Sequence, residues 1–160
     1  MHSKASLLDI HERSHRSLAK LLEHCRSLSA DDLQRRLEGF GEATVPLQLH
    51  HVIAAEQYWI GVLQGRMETD DTSAAHPTID ALEAFRQQIA AQTVAYLQAA
   101  SDEELNTARP MVTYGGKQVE LQPAHVVLRP LMHIYHHQGQ VLAMCRLLGK
   151  PGSGMDFPLA

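Results

Sequence analysis

The chain has 160 residues, 44% of them hydrophobic, which is enough for one domain with a sizeable core. Its formal charge of −4 argues against a nucleic-acid groove, which needs a basic face to neutralise phosphates. No apolar run approaches the ~20 residues that span a bilayer, and charge interrupts the N-terminal stretch MHSKASLLDIHERSH early, so neither a membrane span nor a signal peptide is expected.

From Ser6 to about Leu28, the residues Leu8, His11, His15, Leu18 and Leu22 follow helical spacing and predict a first long helix. Ser29 fits as the N-cap of a short turn in LSADDL. After the glycine loop GFGEAT, Thr44 reads as an N-cap, with Pro46 in the first turn where its missing N–H does no harm. A second helix is expected from Val45 to Leu63, ended by Gly65, with Leu47, His51, Ala55, Tyr58 and Val62 as its inner face. The polar connection RMETDDTSAAHP leads to Thr78, which can cap a third helix with the stripe Ile79, Leu82, Phe85, Ile89, Tyr96 and Leu97. That helix fades into ASDEEL, where Ser101 and Glu104 have capping-box spacing.

MVTYGGKQVEL then alternates around a Gly-Gly pair and predicts a small hairpin. A fourth helix is expected from Pro123 to about Leu148, with either a kink or a late start at Pro130. Gly149, Pro151, Gly152 and Gly154 end it, and the tail to Ala160 reads as extended. The two cysteines, Cys25 and Cys145, form no CxxC pair and read as reduced apolar helix residues, so the expected location is the cytoplasm. Together these elements predict an all-α fold, an antiparallel four-helix bundle with a β-hairpin insertion before the last helix, in one domain over 1–160.

Eleven histidines stand out in the composition, beside a single tryptophan. His133 and His137, in HIYHHQGQ, are four residues apart, so a helix stacks them on one face at a spacing from which two imidazoles reach one metal ion. That face also carries Ile134, Val141, Cys145 and Leu148, which turns the rings toward the core, where an unsatisfied polar group costs roughly 1–3 kcal/mol. His51, in the apolar stripe of the second helix, is the best third ligand, whereas His50 is rotated away from it. Gln140, one turn beyond His137, and His136 are candidate catalytic residues, as a substrate-orienting amide and an acid/base; Arg129, Tyr58 and Trp59 read as surface and packing residues. HERSH, from His11 to His15, matches the zincin pattern H-E-x-x-H with Glu12 as base, but it lacks the preceding sheet of that context. His11 and His15 instead fit the inward stripe, where they can line the same interior as the metal pocket.

The segments LHHVIAAEQYW and HIYHHQGQVLAMCRLLG resemble the DinB-like superfamily of small metal-binding four-helix proteins. By that resemblance the ligand of the second helix falls on His51, with Glu56 and Trp59 in the expected places. The ligand pair falls on His133 and His137, and the following Gly-Gln on Gly139 and Gln140. The resemblance implies a bundle, often a homodimer, that binds one divalent ion, with nickel or zinc foremost. It also implies a metal-dependent enzyme of the thiol-dependent S-transferase type acting on a small-molecule substrate, with a low-molecular-weight thiol such as bacillithiol, mycothiol or glutathione as co-substrate. A metal-dependent hydrolase and a non-catalytic metal-binding stress-response protein are the alternatives. No nucleic-acid or membrane partner is expected.

Overall fold

The computed structural model describes residues 1–67 and 69–159, so Glu68 in the polar connection and Ala160 at the end of the tail lie outside the described residues. Among the described residues, six α-helices and one hairpin follow in order: α1 (Lys4–Cys25), α2 (Ala30–Gln34), α3 (Val45–Gln64), α4 (Ile79–Ala99), α5 (Asp102–Asn106), β1 (Arg109–Thr113), β2 (Lys117–Leu121) and α6 (Pro123–Leu147). Side-chain caps begin five of the helices: Ser3, Ser29, Thr44, Thr78 and Ser101 each accept a hydrogen bond from a backbone N–H in the first turn. Gly65 closes α3 at φ 70°, a left-handed conformation that favours glycine.

The four long helices form an antiparallel bundle in which α1 packs on α4 and α6, and α3 packs on the same two. Helices α1 and α3 therefore sit on a diagonal, and residues that meet between them do so through the centre of the bundle. Leu7, Leu18, Leu21 and Leu22 of α1, Leu49, Ile53 and Ile60 of α3, Leu82 and Ile89 of α4, and Leu131 and Val141 of α6 fill that centre. Cys25 and Cys145 are free and buried, with their sulfurs 4.0 Å apart.

β1 and β2 pair antiparallel from Arg109 opposite Leu121 to Thr113 opposite Lys117. The hairpin turns through Gly115 and Gly116, both at positive φ. Its tip is tied to the bundle where the Tyr114 N–H donates to the Tyr58 hydroxyl at 2.6 Å. α6 begins at Pro123 and continues through the buried Pro130, so the late start expected there does not occur.

The inner face expected for α3 needs correction. Leu47, His51, Ala55 and Tyr58 are only partly buried, whereas Leu49, Val52, Ile53, Glu56 and Ile60 lie deepest. Because α3 is covered by α4 on one side and α6 on the other, it is apolar over most of its circumference and its stripe is broad. His50, expected to point away, is buried too: it hydrogen-bonds Thr72 at 3.0 Å and stacks on Phe85 and His76.

Candidate metal centre

Where α3 packs on α6, His51, His133 and His137 each bring one ring nitrogen within 4.8 Å of the other two. Their ring centroids are 4.3–5.1 Å apart. The Nε2 atoms of His51 and His133 face each other at 3.1 Å. His137 is 8% exposed, and its Nδ1–H donates to the Gln48 amide oxygen at 2.6 Å. That bond fixes the tautomer, so the His137 Nε2 lone pair is the one left to face its two neighbours. Gln48 in turn donates to Gln140 Oε1 at 3.2 Å and to the Glu42 carbonyl at 3.1 Å. Gln140 then donates from its amide nitrogen to His136 Nε2 at 3.1 Å. This line of amides, from the buried His137 to the exposed His136, holds its members in one orientation.

Gln48 is the residue that the sequence reading missed. It is fully buried on α3, one turn before His51, and an amide at that depth on an apolar helix must have a partner.

Three imidazole nitrogens converging with no carboxylate among them fit a borderline divalent ion such as nickel or zinc. Without an ion the arrangement is unfavourable to protons. Burial, with His51 and His136 nearby, pushes His133 down to about 4, and burial with His133 and His51 does the same to His137. Both rings are thus neutral at neutral pH and hold their lone pairs ready for an ion. In the metal-free protein, their imidazole proton resonances should titrate near pH 4 rather than near the ordinary histidine value of about 6.5. Because the folded values lie below the unfolded ones, the stability these rings contribute is complete above about pH 6.5 and is lost as pH falls toward 4. Titration at ordinary values would mean that the rings are not packed as described.

His51 and His133 also line an open cavity of about 1120 Å³ beside α3, α6 and the hairpin. Tyr58 and Trp59, expected to be packing residues, form part of its wall, and His136 stands on its rim. Arg129 is exposed as expected, with its guanidinium 5.0 Å from the Trp59 ring centre.

A second histidine cluster lies in the bundle centre, and it is built differently. Glu56, 2% exposed, accepts from His11 Nε2 at 3.0 Å, His15 Nε2 at 2.8 Å and the Thr93 hydroxyl at 2.6 Å. Arg86 donates to His15 Nδ1 at 3.3 Å and pairs with Glu83. Burial alone would raise the Glu56 pKa, but His15 and His11 together hold its carboxyl far below the usual range. His11, His15 and Glu56 could also hold a metal ion by position. Here, however, carboxylate oxygens already meet N–H and O–H donors, whereas in the first group like nitrogens face one another. His11 and His15 line a separate cavity of about 550 Å³ rather than the one beside His51 and His133, where the inward stripe predicts them. Glu12, the base in the zincin pattern, is exposed.

A family model described as "DinB family" matches residues 1–160. No curated protein matches the chain. Among solved structures, it is similar to a DinB-like protein from Bacillus cereus ATCC 10987, with a TM-score of 0.72 and 18% identity over 92% of this chain and 95% of that one. It is also similar to a DinB family member from Exiguobacterium sibiricum 255-15, with a TM-score of 0.66 and 19% identity over 96% and 97% of the two chains. At these identities the likeness establishes the fold. A family match over the full length, joined to the bundle with its hairpin, places this chain in the DinB family.

Proposed function

We propose that this protein is a metal-dependent enzyme of the thiol-dependent S-transferase type, with His51, His133 and His137 as ligands to one nickel or zinc ion. The observation that carries this reading is the convergence of three ring nitrogens within 4.8 Å, with His51 and His133 at the wall of a large cavity. A structural ion is usually enclosed by four protein ligands, whereas three ligands beside a cavity leave room for a small molecule. When bound, the ion supplies a Lewis acid that lowers the pKa of a thiol beside it.

The chain's own residues do the rest. Gln48 holds the His137 ring in the tautomer that points Nε2 inward. Gln140 occupies His136 Nε2 as a donor, which leaves the His136 proton on Nδ1 at the rim, where it can serve as the acid or base. The cavity, about 1120 Å³ and open to solvent, has room for a small-molecule ligand beside His51 and His133.

The test is a reaction of the metal-loaded protein with glutathione, and separately with bacillithiol, against 1-chloro-2,4-dinitrobenzene. The expected result is thiol consumption that disappears in the His133→Ala variant. Cleavage of 4-nitrophenyl acetate without any thiol would instead assign the hydrolase alternative. Inactivity in both assays, with metal bound, would leave the non-catalytic reading.

A further inference from the structure

We infer that the cavity beside the three histidines selects an organic anion with an apolar body. The inference rests on the proposed function only in taking this cavity as the one that receives substrate. Among the described residues that line it, every fully charged side chain is a cation and none is a carboxylate. Chance would favour the opposite, because the chain has 18 acidic residues against 14 Lys and Arg.

The pattern follows from how two elements face the cavity. On β2, successive side chains alternate between faces, so Lys117, Val119 and Leu121 line the cavity while Glu120 does not. On α6, Arg129, Met132, His133 and His136 follow helical spacing along the lining face. Neither Lys117 nor Arg129 forms an ion pair among the described residues. Arg129 instead lies over Trp59, which leaves its N–H donors for a ligand. Leu121, Leu128 and Trp59 supply apolar wall in the same cavity. A molecule that satisfies both has a carboxylate, sulfonate or phosphate at one end and a hydrophobic body.

The chain's single tryptophan makes this measurable, because Trp59 is part of the wall. Metal-loaded protein is titrated with the amphipathic anion 1-anilinonaphthalene-8-sulfonate and with its uncharged counterpart N-phenyl-1-naphthylamine, read by energy transfer from Trp59. The anion should bind about one per chain and more tightly than the amine. Its affinity should fall roughly tenfold in the double variant Lys117→Gln, Arg129→Gln, while the amine is unaffected. Raising salt from about 10 to 300 mM should weaken only the anion, which tests the idea even if the variant folds poorly. Equal affinity for both probes, or an anion affinity insensitive to salt and to the double variant, would overturn the inference. Protein that prefers the anion but never takes up metal would sink the metal reading and leave this one standing.

Discussion

Alanine at His51, His133 or His137 should each lower the affinity for zinc or nickel by more than about 100-fold in a competition titration with a chromophoric chelator. The expectation follows from geometry, since the three rings offer one nitrogen apiece and no carboxylate stands among them. Two remaining imidazoles make a poor site for an ion that prefers four or more ligands. The control is His50→Ala. His50 is the adjacent residue and is also buried, but its ring contacts are Thr72, Phe85 and His76. That variant should lose some stability and keep its metal. If His50→Ala releases the ion and His51→Ala retains it, the register of α3 described here is wrong by one residue.

The largest effect on stability is expected at Glu56. Removing its carboxylate as Glu56→Ala leaves the His11 and His15 N–H groups and the Thr93 hydroxyl pointing at one another in the bundle centre. Breaking a buried charged network in this way costs about 3–5 kcal/mol, which lowers the Tm of a chain this size by on the order of 10 °C. The pH dependence has a definite sign. The Glu56 pKa is depressed in the folded state, so its contribution is complete above the ordinary carboxylate range and is lost as pH falls below it. Thermal melts of the parent between pH 7 and pH 3 should therefore decline more steeply than those of Glu56→Ala. Parallel curves would mean that the carboxylate is not held by the histidines.

Local features of the chain were readable because local chemistry determines them. Serine and threonine followed by amphipathic runs marked the caps at Ser29, Thr44, Thr78 and Ser101, and Gly115-Gly116 marked the hairpin turn. His133 and His137 were legible as a pair because four residues on one helix suffice to place them together. The role of Glu56 was not legible, because its partners are 41 and 45 residues away and are reached only through the diagonal between α1 and α3. HERSH drew attention as a motif through Glu12, while the carboxylate that its histidines meet lies on another helix. Gln48 and His50 were hidden for a related reason. α3 is buried on two sides, and a period-based choice of one inner face cannot register both.

Metal binding by the three histidines is tested most directly by anomalous scattering from crystals of tag-free protein grown with nickel or zinc, with data collected at the metal edge. One strong peak per chain is expected among the ring nitrogens of His51, His133 and His137. A peak between Glu56, His11 and His15, or no peak at either cluster in protein that is fully folded, would contradict it.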